Sequence, residues 1–295
     1  MAVKRWLVGC IVLLTGTLAA ITLAFLVVNM SLDRDGMALG SLGKRIGLVE
    51  IIGDIESSDS VVDQLEHMRL DSSVQAVVVR LDSPGGGVAA SQEIAEEILK
   101  VRDAKKHVIA SMGGVAASGA YYVACAADSI VCNPGTLTGS IGVIMTFPNT
   151  EELFKKVGLR FEVVKTGKFK DIGSMSRPMT AEEKDLLHGV LTNVYQQFVR
   201  AIADGRDMEE SDILPYADGR IFSGQQALDL GFVDRMGDLN DAIQLAAGMA
   251  DIRGRPVIVR KERRRPFSVL DLFQDKLHLV PGLTQSGPRL EYRLR

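Results

Sequence analysis

The chain has 295 residues, 46% of them hydrophobic, and sets 34 Lys and Arg against 37 Asp and Glu for a formal net charge of −3. That length and apolar share suit one sizeable core and exclude a disordered or collagen-like polymer. The near balance of charge leaves no footprint for DNA or RNA, so no nucleic-acid partner is expected despite the basic run Arg260-Lys261-Glu262-Arg263-Arg264-Arg265. Cys10, Cys125 and Cys132 lack C-x-x-C spacing and nearby His partners, which argues against a zinc site or a disulfide framework, and no metal or cofactor is expected.

Residues 6–30 are apolar apart from scattered Thr, Gly and Asn, and a bilayer-crossing helix needs only about 20 such residues. Lys4 and Arg5 precede the run. The positive-inside rule then keeps residues 1–5 in the cytoplasm and sends the bulk of the chain to the extracytoplasmic side of the membrane. A lipoprotein site at Leu7-Val8-Gly9-Cys10 is disfavoured, because the apolar stretch before Cys10 is shorter than the roughly 7–15 residues of an export signal. A cleaved signal peptide fits less well than an uncleaved anchor, since no Ala-x-Ala site closes the run. Residues 31–45, polar and Gly-rich, read as a tether.

The next stretch alternates strand and helix patterns. Strands are expected at Ile46–Ile52, Val74–Leu81 and Val108–Met112, and helices at Ser58–Arg69, capped by serine and aspartate, and at Val88–Arg102. Asp82-Ser83-Pro84-Gly85-Gly86-Gly87 closes the second strand, and Gly113-Gly114 is read as breaking the third. Gly119 to Ala127 reads as a small-residue helix with Ser118 at its start. A further strand (Ser129–Cys132), a short helix near Glu151–Val157, a strand at Phe161–Lys165, a loop at Thr166–Ser176 and a long helix from Thr180 follow. Helices within Arg220–Gly231 and at Leu239–Met249 complete the pattern. This order predicts an α/β domain over 46–250 with a largely parallel sheet and its sites at the carboxyl ends of the strands, followed by an arm at 251–295, a possible subunit contact.

Ser118 reads in two ways, as an ordinary N-cap or as a nucleophile presented where free backbone amides stabilise an oxyanion. A serine nucleophile needs a base. His67 and His188 lie within helical patterns, His107 before a strand and His278 in the arm, so none sits in a glycine-rich strand-end loop, and the G-x-S-x-G elbow is absent. The glycine run at 85–87 fits neither a dinucleotide fingerprint nor a P-loop. Lys168 and Lys170, beside Phe169 and Ile172, are the alternative bases, because a lysine under apolar cover loses its proton more readily.

Four motifs together carry a resemblance: Asp-Ser-Pro-Gly-Gly-Gly (82–87), Ala-Ala-Ser-Gly-Ala-Tyr-Tyr (116–122), Thr-Gly-Ser-Ile-Gly-Val (138–143) and Gly-Lys-Phe-Lys-Asp (167–171). In order and spacing they resemble the short form of the bacterial signal peptide peptidase A family over about 46–250. The resemblance implies a ClpP/crotonase-like fold of repeated β-β-α and β-α units behind one N-terminal transmembrane helix. It also implies a Ser-Lys dyad that degrades cleaved signal peptides and other hydrophobic peptides at the bacterial cytoplasmic membrane, in a homo-oligomeric ring or dome. On these motifs Ser118 is the expected nucleophile, Lys170 the general base, Ser140 the hydroxyl that bonds the lysine, and the backbone amides of Gly85, Gly86 and Gly119 the oxyanion hole. Phe169 stands where the family commonly has tyrosine. Val88, Val143 and Met145 are expected to line apolar substrate positions. A crotonase-like acyl-CoA enzyme and a non-catalytic membrane scaffold are the competing readings.

Overall fold

The computed structural model describes residues 44–261 and 291–293, together with Thr17. The expected membrane segment, most of its tether and the arm between 262 and 290, with His278, lie outside the described residues. Among the described residues no helix is long and apolar enough to cross a membrane.

From Lys44 onward the described residues belong to one compact unit. Its centre is β2 (Val74–Ser83), flanked by β1 (Arg45–Ile52) and β4 (His107–Ala117), and all three run parallel. Val74, Ala76, Val77, Val78, Val79 and Leu81 of β2 are fully buried, so both faces of the strand are covered. That explains a continuous β-branched run where a half-exposed strand would alternate with polar residues. Each such side chain contributes roughly 1.5–3 kcal/mol of burial free energy.

One face carries α1 (Asp59–Leu70), α2 (Val88–Asp103), α3 (Gly119–Cys125) and α5 (Ala181–Arg206), which follows the short α4 (Glu151–Lys156). Leu65, Ile94, Tyr121 and Phe198 join Val77, Val79 and Leu81 in the larger core cluster. The helix α8 (Leu239–Met249) covers the other face, its Ala242, Ala246 and Ala247 packing with Ala76, Val78 and Ile109. Between them lie α6 (Glu210–Ile213) and α7 (Gly224–Asp229). β5 (Ser129–Cys132) pairs with the first half of β4, and β6 (Leu137–Gly139) with its last residues. β7 (Ile221–Ser223) closes that side as the one antiparallel neighbour among the described strands of this sheet, and β8 (Arg235–Met236) lies beside β5.

Helix starts bear out the capping signals at two places. Thr180 and Ser223 each make a reciprocal capping box, with Glu183 and Gln226. Ser58 does not cap α1; its hydroxyl bonds the Glu93 carboxylate on α2 instead.

Three expectations change. Gly113-Gly114 does not end the third strand, because β4 continues to Ala117. The register between Leu81↔Met112 and Ser83↔Ala116 shows extra residues bulged on β4. A Cβ on Gly113 would stand 2.8 Å from the Asp82 carboxyl carbon, and Asp82 accepts the Val115 amide at 3.1 Å. Phe161–Lys165 is not a strand. Among the described residues nothing pairs with it, and Phe161 and Val163 are each 53% exposed and Val164 fully so. Finally, the sheet passes the expected end at 250. β9 (Val257–Val259) pairs parallel with β1, and β10 (Glu291–Arg293) pairs antiparallel with β3 (Gly85–Gly87).

Candidate active site

The bulge in β4 bends that strand toward β6, and the last three residues of β4, Val115 to Ala117, pair with Leu137 to Gly139. Two buried threonines lock this pairing: Thr136 Oγ1 donates to the Gly113 carbonyl at 2.8 Å and Thr138 Oγ1 to the Ala116 carbonyl at 2.7 Å. Ser118 comes next. Its amide donates to Gly139 O at 2.8 Å and its carbonyl accepts from Tyr122 N at 2.9 Å, so the sheet grips one side of the residue and the first turn of α3 the other.

Between those grips Ser118 takes φ 56° and ψ −117°, a backbone state that a residue with a Cβ occupies at a cost of about 1–3 kcal/mol. Its side chain is fully buried, and its Oγ has no hydrogen-bond partner among the described residues. An N-cap serine bonds a backbone amide of its helix; this one does not. A strained backbone holding a buried, unpaired hydroxyl is what structural serines avoid and what nucleophiles tolerate.

The glycines expected around it converge. A Cβ on Gly119 would lie 2.5 Å from Ser91 Oγ, 3.1 Å from Tyr292 O and 3.2 Å from Gly86 N, while one on Gly85, at φ +103°, would meet Tyr292 O at 2.1 Å and Gly119 N at 2.7 Å. The amides of Gly86 and Gly119 therefore border a single small space, kept open by the missing side chains, in which a peptide carbonyl oxygen already sits. Backbone N–H donors fixed around such an oxygen are suited to hold negative charge on it.

Ser140 follows Gly139, and so lies one residue beyond the partner of Ala117 at the mouth of the same strand ends. It is largely buried, at φ 52°, its amide bonded to Arg220 O at 2.7 Å. Its neighbours Ile141 and Val143, with Leu191 and Tyr195 of α5, line a cleft of about 670 Å³. Val88 is almost wholly buried at the start of α2, while Val143 and Met145 are half-buried.

Lys170 is not brought to Ser118 within the chain. It lies exposed in a turn closed by its own amide on Gly167 O at 3.1 Å, and its amine has no hydrogen-bond or ion-pair partner among the described residues. The apolar cover expected from Phe169 and Ile172 is incomplete, because both are only half-buried and the turn continues the exposed stretch 161–165. Lys168 is engaged elsewhere, with the Glu182 carboxylate and over the Phe169 ring at 5.5 Å.

The turn is nevertheless tied down. Arg177 bonds Glu183 Oε2 at 2.9 Å and Asp171 Oδ2 at 3.0 Å, joining the residue after Lys170 to the first turn of α5. The Arg177 guanidinium and the Thr180 amide hold the Glu183 carboxyl down at about 2, and Arg177 with Lys165 holds Asp171 lower still. Nothing in the spacing of Asp171, Arg177 and Glu183 singled out this tie, although the Thr180–Glu183 capping box marked its far end.

Burial pushes the Cys125 thiol up to about 12 and that of Cys132 to about 11, so neither is a ready thiolate. His188 is on the exposed side of α5, within 3.2 Å of Thr192 Oγ1, and is not bonded to Ser118.

Comparison with known proteins gives the family of the chain. The model of peptidase family S49 matches residues 100–253, from the end of α2 to beyond α8, and that of Clp protease matches residues 40–133. Slr0021 of Synechocystis sp., a protein whose name classes it as a protease, is 40% identical over 253 residues, 85% of this chain and 87% of its own. An Enterococcus faecium protein named as a signal peptide peptidase SppA is 36% identical over 180 residues, covering 61% of this chain and 52% of its own. Protease 4 of Salmonella typhi is 36% identical over 195 residues, 66% of this chain but 31% of its own. The chain belongs to peptidase family S49 and is a serine peptidase of the signal peptide peptidase type.

Proposed function

We propose that Ser118 is the nucleophile of a Ser-Lys peptidase whose base, Lys170, is supplied across the contact between neighbouring copies of the chain. The observation that carries this reading is the buried, unpaired Ser118 hydroxyl, held at a strained strand-to-helix turn beside the Gly86 and Gly119 amides. Lysine acts as a base only as the neutral amine, which desolvation favours. The Lys170 turn is exposed in one chain and follows a run of exposed apolar residues, Leu153, Val157, Leu159, Phe161 and Val164, so a second copy would bury the turn and the run together.

In the reaction the Lys170 amine takes the Ser118 proton as Oγ attacks the peptide carbonyl, and the Gly86 and Gly119 amides hold the oxyanion. The resulting ammonium protonates the departing amine, and water then cleaves the acyl-enzyme by the same route. Ser140 orients the lysine from the end of β6. An anchor at 6–30 would place this chemistry at the outer face of the bacterial cytoplasmic membrane, against hydrophobic peptides such as the remnants of cleaved signal peptides.

Two measurements test the reading. A fluorophosphonate should label the wild-type chain once, at Ser118, and not Ser118→Ala. Ser118→Ala and Lys170→Ala should each be inactive alone, while oligomers reconstituted from a mixture of the two regain hydrolysis, because some junctions pair an intact serine with an intact lysine. Mixtures that stay inactive would place both members of the dyad in one chain.

A further inference from the structure

The Gly86 amide is aimed by its neighbours. Ile55 N donates to Gly85 O at 2.9 Å and Gly87 N donates to Ile55 O at 2.8 Å, so the polar groups on both sides of Gly86 are turned toward Ile55. Along an extended strand successive peptide groups face opposite edges. The Gly86 N–H therefore points the other way, into the space that it borders with the Gly119 amide.

Two fully buried hydroxyls, those of Ser83 and Ser91, fix the ends of this glycine trio. Pro84 has no N–H, so the first amide after β2 is that of Gly85, and it donates to Ser83 Oγ at 3.1 Å. Ser91, the fourth residue of α2, donates its hydroxyl to Gly87 O at 3.0 Å. A helical serine often returns its hydroxyl to the carbonyl four residues back. Ser91 does more, because a Cβ on Gly119 would lie only 2.5 Å from the same oxygen. One atom thus meets both walls of the space: it is bonded to the strand that carries Gly86 N and packed against the residue that carries Gly119 N.

Building on the Ser-Lys reading, we propose that Ser83 and Ser91 are positioning residues that set the direction and separation of the Gly86 and Gly119 amides. Neither has exposed surface, so both act through those amides rather than on the substrate. Ser83 keeps the trio from sliding along its own axis, and Ser91 is the strut between the trio and α3. Oxyanion stabilisation depends on donors that are in place before charge develops, so loosening either hold costs rate rather than substrate binding.

The test uses the full chain in detergent micelles. Ser91→Ala and Ser83→Ala should each lower kcat by about ten- to hundredfold, with KM within about twofold of the wild type. A peptide aldehyde, whose adduct with a serine carries the oxyanion, should lose affinity by the same factor as kcat/KM. Ser91→Ala alone carries the test if Ser83→Ala does not fold, since alanine is favoured within a helix. A Cβ on Gly119 would take up the room that the Ser91 hydroxyl vacates, so Gly119→Ala with Ser91→Ala should have a kcat about threefold or more above that of Gly119→Ala. Suppose the wild type takes the fluorophosphonate at Ser118, yet Ser91→Ala keeps its kcat within about twofold or loses kcat with its aldehyde affinity unchanged. That result would overturn this inference and leave the peptidase reading standing. A wild-type chain that does not label at Ser118 would overturn both.

Discussion

Ser118 and Lys170 sit in two regions that the chain constructs differently. Around Ser118 the backbone is fixed from both sides: by the β4–β6 ladder with its two threonine anchors, by α3, and by glycines with no room for a Cβ. Around Lys170 there is a turn on an exposed stretch, held at its far end by one arginine. The first region needs nothing further to stay in place, and strain at Ser118 can be stored there because the surrounding packing over-determines it. The second presents apolar side chains to water, an arrangement that suits a surface waiting for a partner.

The largest effects should separate the two regions by activity and stability together. Ser118→Ala should lower kcat by about 10⁴-fold or more while the thermal midpoint holds or rises, since the variant removes a buried hydroxyl with no partner. Lys170→Met should lose activity to a similar degree with no change in the monomer's melting, because the side chain is exposed and unpaired. Peptide hydrolysis and calorimetry check both. A Lys170→Met chain that melts well below the wild type would mean that the turn is built into the fold rather than presented by it.

Gly119→Ala should hurt both properties at once. Its Cβ would press on Ser91 Oγ at 2.5 Å and Gly86 N at 3.2 Å, which is overpacking of about 1–3 kcal/mol. It would also spread the two amides apart, with a loss in kcat of about 10²–10³. Urea titration and kcat on a short peptide measure the two parts. Unchanged kcat in a destabilised chain would remove these amides from the oxyanion site.

The contrast between the regions also marks what could be read from residues alone. Val74–Leu81 announces a strand covered on both faces because β-branched side chains run without a polar break, and Gly85–Gly87 and Ser118 then fall at strand ends by order alone. The same rule misplaces Phe161–Lys165. Apolar residues there signal that something will be covered, and periodicity carries no information about whether the cover comes from the same chain. Gly113-Gly114 is ambiguous in sequence because a break and a bulge use the same residue, and the deciding contact, the Asp82 carboxylate, is 31 positions away. Glu291–Arg293 is too short to show any period, and its pairing with β3 depends on geometry that only the fold creates.

Thr138→Val sharpens the first half of the comparison. The variant keeps the shape of the side chain and removes the 2.7 Å bond to Ala116 O, leaving a buried carbonyl one partner short at a cost of about 1–3 kcal/mol. Because Ala116 is two residues from Ser118, the proposed nucleophile, kcat should fall with KM little changed. Equal losses in the two would point to a general loosening of the sheet.

The smallest effect belongs to the tie behind Lys170. Glu183 is held at about 2 in the fold by Arg177, against roughly 4.3 when unfolded. A carboxyl lowered in this way contributes stability that is complete above its unfolded value and is lost as pH falls toward the folded one, and Asp171 is shifted in the same direction by the same arginine. The turn should therefore loosen between about pH 4.3 and 2, a range in which pepsin can report it. Cleavage within 165–177 should be about two- to fivefold faster in Arg177→Ala than in the wild type near pH 4. The ratio should fall as pH drops toward 2, where protonation of Glu183 leaves Arg177 with Asp171 alone. A ratio that stays constant across that range would mean that Arg177 fixes the turn by packing rather than by charge, and the Lys170 region would then resemble the Ser118 region more closely than its exposure suggests.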